Sequence, residues 1–231
     1  LAPTAPIVVV VTGGDRPDAA LVESLDLPVD GRVVVAADSG VAHAVALGLT
    51  VDVAVGDFDS LDPVVLEAVE AAGARIERHP EEKDATDLEL ALDVALGLAP
   101  ERIVVLGGHG GRLDHFLANV LALAAPSLAG VGVEALVGEA VVSVVRPGPG
   151  IRFGGRPGQL VTILPVHGPA RGVCTEGLRY PLAAEDLDVG TSRGVSNELV
   201  ADRAAVSLTG GVALVVRPGP TVNEDHRSGA R

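Results

Sequence analysis

The chain opens with two uninterrupted apolar runs, 7–11 and 32–37, rich in valine and ending in turn residues, Thr12-Gly13-Gly14 and Asp38-Ser39-Gly40. Apolar runs without alternation describe strands buried on both faces, as in a parallel sheet. Apolar residues three and four apart at 41–47, 63–72, 88–98 and 113–124 predict helices. Further strands are predicted at 52–55, 75–77, 102–106 and 131–137. The alternation predicts a three-layer α/β domain with a mostly parallel sheet over residues 1–146.

The texture changes at Arg146-Pro147-Gly148-Pro149-Gly150, and Gly154-Gly155-Arg156-Pro157-Gly158 follows after one short apolar segment. Such a Pro/Gly cluster reads as a hinge. Beyond it helical periodicity stops, and short β-like stretches at 160–166, 172–175, 204–208 and 212–216 predict a smaller all-β sandwich over 147–220. Residues 221–231 are polar and read as a flexible tail.

Composition narrows the partners. With 48% hydrophobic residues the chain has material for a real core, and a net charge of −14 argues against nucleic acid or an anionic membrane surface. No apolar run approaches the roughly 20 residues a spanning helix needs, and no signal-peptide pattern opens the chain, so a cytoplasmic location is expected. One cysteine, Cys174, excludes an internal disulfide. Methionine is absent, so the initiator is missing or mistranslated, and Leu1 reads as the product either of cloning or of an alternative start.

The polar motifs fall where strands give way to helices, the ligand-binding rim of an open parallel sheet. Gly56-Asp57-Phe58-Asp59-Ser60 and Lys83-Asp84-Ala85-Thr86-Asp87 concentrate four carboxylates and the chain's only lysine. Clustered carboxylates repel one another unless a cation joins them, and two aspartates two residues apart on an extended segment share a side. The same stretch also reads as a turn in which Asp59 and Ser60 cap the helix beginning near Pro63. Thr86 and Glu89 match a capping box, which explains those two residues without any ligand. Gly107-Gly108-His109-Gly110-Gly111-Arg112 resembles an anion cradle, with Arg112 as a bidentate donor. No Walker A or dinucleotide fingerprint is present. His115, at the start of a predicted helix, reads as structural more readily than catalytic.

In order and spacing, Asp38-Ser39-Gly40, the Asp57 and Lys83 motifs, Gly110-Gly111-Arg112-Leu113-Asp114-His115 and Ser196-Asn197-Glu198 resemble the thiamine pyrophosphokinase family. The resemblance runs over roughly 7–217 and includes Thr175-Glu176-Gly177-Leu178 and Tyr180-Pro181-Leu182. It implies a homodimer, with the active site at the subunit interface, that transfers pyrophosphate from ATP to thiamine and releases AMP. It implies that Asp57, Asp59 and Asp87 hold Mg²⁺, with Asp38 nearby, and that these three and Arg112 are catalytic. By the same resemblance Asp38, Lys83, Asp84, Thr86, Arg112 and Asp114 position the nucleotide, and Ser196 and Asn197 face thiamine. Some members set a tryptophan against thiamine, and this chain has none. Transfer to another alcohol, such as a hydroxymethyl pterin, and a non-catalytic nucleotide or thiamine sensor are the competing readings.

Overall fold

The structure, a computed structural model, describes residues 5–25, 27–28, 31–80, 82 and 84–219; Lys83 and the predicted tail 221–231 lie outside the described residues. The chain divides into two compact units, 1–138 and 139–231. The first unit runs β1 (Ile7–Val11), α1 (Ala19–Glu23), β2 (Arg32–Ala37), α2 (Gly40–Ala46), β3 (Val53–Gly56), α3 (Pro63–Ala71), β4 (Arg75–Arg78), α4 (Asp87–Gly97), β5 (Arg102–Leu106), α5 (Leu113–Ala122) and β6 (Gly132–Val137). Its strands lie in the order β4-β3-β2-β1-β5-β6, and every pair is parallel.

Consecutive strand residues point to opposite faces, yet Val8, Val9, Val10 and Val11 are each 0% exposed. Both faces are therefore covered at β1, as at most of β2, β3 and β5, which is why these strands read as continuous apolar runs. Helix α4 packs on β1, β2 and β3 through Leu88, Ala91, Leu92 and Ala95, the periodic stripe seen in the sequence. Helix α5 is the exception. None of its residues is buried, and Leu113, Leu117 and Leu121, four apart along one face, are 68%, 52% and 45% exposed. The chain leaves β1 toward β4 on one side and returns through β5 on the other. The carboxyl ends of the paired strands β1 and β5 are thus the switch point at which such sheets open a binding crevice.

The second unit contains β7 (Ala140–Val145), β8 (Ile151–Gly154), β9 (Leu160–Pro165), β10 (Ala170–Glu176), β11 (Glu185–Leu187), β12 (Asn197–Glu198), β13 (Arg203–Ser207) and β14 (Ala213–Arg217). Antiparallel β7-β14-β9-β12 form one layer and β8-β13-β10-β11 the other. Val145, Val161, Ile163, Ala213 and Val215 from the first layer meet Phe153, Val173, Leu187, Ala204 and Val206 from the second in one core. The Pro/Gly-rich stretch beginning at Arg146, read above as a hinge, is the turn joining β7 to β8 within this unit. Proline and glycine serve a tight reversal as well as a linker, so composition alone does not separate the two. Among the described residues, no helix is long and apolar enough to cross a membrane.

Ile163 is 0% exposed between the two layers. Ile163→Ala should lower the stability of this unit by about 2–5 kcal/mol, the cost of deleting a core side chain and leaving a cavity. Chemical denaturation followed by circular dichroism measures it, and a loss under 1 kcal/mol would contradict a common core.

Candidate active site

The acidic centre is built by backbone turns at the ends of β2 and β3. Asp38 follows β2 in a left-handed conformation, φ 46°, and its N–H donates to the Val55 carbonyl at 2.9 Å. Beside it β3 ends on Gly56 at φ 149°, where a Cβ would stand 3.3 Å from the Asp38 Cβ. Glycine supplies both the φ and the clearance. Phe58 is also left-handed, φ 61°, an uncommon state for a bulky residue that costs about 1–3 kcal/mol. Burial to 7% exposure holds it there, with the Arg78 guanidinium 5.4 Å from its ring centroid.

This turn, rather than the extended geometry expected from the sequence, brings Asp57 and Asp59 together, and the Asp59 N–H donates to Asp57 Oδ1 at 3.2 Å. One carboxylate oxygen from each of Asp38, Asp57 and Asp59 lies within 4.8 Å of the other two. Asp38, expected only nearby, is thus part of the trio. Ser60 Oγ donates to Asp38 Oδ2 at 2.6 Å, whereas Asp38 Oδ1 is buried with no hydrogen-bond partner among the described residues. The helix-capping role open to Asp59 and Ser60 falls instead to Asp62, whose carboxylate accepts from the Val64 N–H at 2.9 Å. Converging anions and a bare buried carboxylate oxygen are both costly. A hard divalent cation relieves both, and three carboxylate oxygens are its ordinary donors. The trio therefore suits such an ion.

Asp87 is the first residue of α4 and lines the same cleft outside the trio. Thr86 caps this helix as the sequence predicts: its Oγ1 accepts from the Glu89 N–H at 3.2 Å, while Glu89 Oε2 accepts from the Thr86 N–H at 2.9 Å. Thr86 and Asp84 also face the cleft, so a capping role and a place on the rim coexist.

The opposite wall is the loop after β5. Its first two glycines do not offer their N–H groups to an anion: Gly107 donates to the Leu136 carbonyl at 3.0 Å and Gly108 to the Gly13 carbonyl at 2.9 Å. Gly14, at φ 96°, allows the neighbouring loop so close that a Cβ there would collide with the His109 carbonyl. The two loops are further joined by the Asp15 N–H donating to the His109 carbonyl at 2.6 Å and by His109 Nδ1 at 3.1 Å from Asp15 Oδ2. No local sequence pattern marks this His–Asp contact, because its partners are 94 residues apart. Arg112 precedes α5 and makes a bidentate ion pair with Asp114, Nη2 to Oδ2 at 2.6 Å and Nε to Oδ1 at 3.2 Å. The hydrogen bond from Arg112 holds the Asp114 carboxyl down at about 2, and the same bond raises the guanidinium. Together these elements enclose an open cleft of about 970 Å³ that Arg112, His109, His115 and the carboxylates line.

In the second unit, exposed Ser196 adopts φ 55° and donates its N–H to Thr162 Oγ1 at 3.1 Å. Asn197 is only 2% exposed. It borders a shallow pocket of about 360 Å³, onto which Tyr180, 51% exposed, also faces. Tyr180 is the chain's one tyrosine, in a chain without tryptophan, which marks it in the sequence as the one large polar aromatic.

Comparison with known proteins agrees with both halves of this description. The family described as Thiamin pyrophosphokinase, catalytic domain, matches residues 28–133, and Thiamin pyrophosphokinase, vitamin B1 binding domain, matches residues 151–213. A thiamine pyrophosphokinase of Bacillus subtilis (strain 168) is 28% identical over 180 residues, covering 78% of this chain and 84% of that protein. The solved structure of a Bacillus subtilis thiamine pyrophosphokinase superposes with a TM-score of 0.79 at 25% identity, over 92% of this chain and 99% of its own. That of the Geobacillus thermodenitrificans thiamin pyrophosphokinase gives 0.77 at 27% identity, over 94% and 99%. Fold and cleft define an enzyme that joins a parallel α/β unit, polar at the carboxyl ends of its strands, to a β-sandwich. The chain belongs to the thiamin pyrophosphokinase family.

Because Arg112 is what depresses Asp114, Arg112→Gln should return that carboxyl from about 2 toward its ordinary 3.8. The depressed value means that the pair is intact above the ordinary range and is lost as pH falls through about 2. Titration of the Asp114 side chain by NMR in both proteins reads the shift, and an unchanged midpoint would refute the pairing.

Proposed function

We propose that this chain is a Mg²⁺-dependent pyrophosphokinase that transfers the β,γ-pyrophosphoryl group of ATP to the hydroxyl of thiamine. The observation that carries the reading is the Asp38–Asp57–Asp59 trio with its bare buried Asp38 Oδ1, set in a cleft at the switch point of the sheet. The two family matches support the choice of donor and acceptor.

In this reading Asp38, Asp57 and Asp59 hold Mg²⁺, with Asp87 on the same cleft completing the set the resemblance implies. Bound Mg²⁺ would neutralise phosphate charge and orient the polyphosphate. Arg112 exchanges Asp114 for a phosphate oxygen and with Lys83 supplies cationic contacts in an otherwise acidic rim. Asp84 and Thr86 border the nucleotide, and Ser196 lies on the acceptor side. The thiamine hydroxyl oxygen attacks the β-phosphorus, the bridging α–β oxygen leaves with AMP, and the hydroxyl proton passes to a carboxylate or solvent. Such a step depends on in-line positioning and charge stabilisation more than on a strong base.

We propose a homodimer in the cytoplasm, with the partner subunit's sandwich completing each cleft. The exposed leucines of α5, whose first turn borders the cleft, support an interface there.

Mass spectrometry of the products from ATP, Mg²⁺ and thiamine tests the reaction. Thiamine diphosphate and AMP are expected together; thiamine monophosphate with ADP, or AMP without any need for thiamine, would overturn it. Asp59→Asn should lower turnover about a hundredfold or more with the circular dichroism spectrum unchanged, and near-normal turnover would remove the trio from the mechanism.

A further inference from the structure

Both heteroatoms of the Asn197 carboxamide are engaged inside the second unit. Its Oδ1 accepts from the Tyr180 N–H at 3.0 Å and from the Glu198 N–H at 2.9 Å, while Nδ2 donates to the Tyr180 carbonyl at 2.7 Å. An asparagine that grips both the N–H and the C=O of one residue acts as a second backbone for it. That residue is Tyr180, the half-exposed ring on the 360 Å³ pocket.

The rest of the loop is tied as firmly. Thr175 closes its base, with N–H donated to the Leu182 carbonyl at 3.0 Å and Oγ1 accepting from the Leu182 N–H at 2.9 Å. Arg179 donates its N–H to the Glu198 carbonyl at 2.8 Å and pairs through Nη1 with Glu198 Oε2 at 2.7 Å. An exposed aromatic ring on a fixed backbone loses little freedom when a flat ligand stacks on it. The pocket's own cation is already neutralised, since Arg193 makes a bidentate pair with Glu185 at 3.0 and 2.9 Å. A positively charged heterocycle therefore meets a ring face without a bare guanidinium beside it.

We infer that Asn197 is a positioning residue that fixes Tyr180 as the aromatic wall of the acceptor pocket, acting through the tyrosine backbone and not by touching the substrate. The inference rests on the acceptor being thiamine, a heteroaromatic cation, as proposed above. Asn197→Asp keeps the two acceptor contacts and removes the donor to the Tyr180 carbonyl.

Because Tyr180 is the only tyrosine and there is no tryptophan, its fluorescence in the full chain reports this ring alone. Thiamine should quench it in the unaltered protein. Asn197→Asp should lower the fluorescence anisotropy and raise KM for thiamine about tenfold, in line with one lost buried hydrogen bond, while kcat and KM for ATP move less than about twofold. In a Tyr180→Ala background the same substitution should have no further effect on KM for thiamine. If Asn197→Asp fails to fold, Asn197→Ser is read in the same way. An Asn197 effect of equal size with and without Tyr180 would overturn the inference. So would thiamine diphosphate formation by an unaltered protein whose tyrosine is not quenched, a result that leaves the proposed reaction standing. Quenching without turnover, with a thiamine concentration dependence that Asn197→Asp shifts about tenfold upward, would support the positioning role and count against the reaction.

Discussion

The centre of the first unit depends on holding three carboxylates closer together than they would choose to stand. Asp38, Asp57 and Asp59 cannot relax apart, because the sheet fixes the strands from which they emerge. The Asp38 N–H is bonded to Val55, and Gly56 lets the end of β3 lie against it. The valine core is thus a mechanical support: β1, β2 and β3, covered on both faces, absorb repulsion that a flexible loop would release. The left-handed Phe58 belongs to the same arrangement, a local cost held in place by burial.

The strands of the first unit and its helices α2 to α5 were legible because burial on both faces writes itself as unbroken apolar runs and helices write their stripe every three or four residues; α1, five residues long, is too short to show one. The carboxylate trio was only partly legible. Asp57 and Asp59 stand in one motif, but Asp38 joins them through a backbone bond across neighbouring strands, which no local pattern records. The turn at Phe58 was also invisible, since phenylalanine carries no left-handed signal. Ser60 could equally cap a helix or orient a carboxylate, and only the cap made by Asp62 decides between them.

The second unit was legible as a class and less so in detail. Strands β8, β11 and β12 are four, three and two residues long, too short for alternation to register. Strand β7 was missed because the Pro/Gly turn after it drew the boundary there. For Asn197, the family resemblance implies a contact to thiamine. Asn197 lies at the edge of the Tyr180 pocket yet is buried, and its amide bonds to the backbones of Tyr180 and Glu198.

The ion pair between Arg112 and Asp114 has a consequence for selectivity. A carboxylate tethered two residues away stands at the guanidinium at a high effective concentration, so an anion must compete with it as if with a concentrated internal salt. Chloride or another ion offering a single contact gains little by the exchange. A polyphosphate that engages several groups along the rim at once replaces the lost contact and adds others. If the cleft takes a polyphosphate as proposed, the pair would act as a threshold on multivalency, keeping Arg112 from being occupied by the common small anions around it.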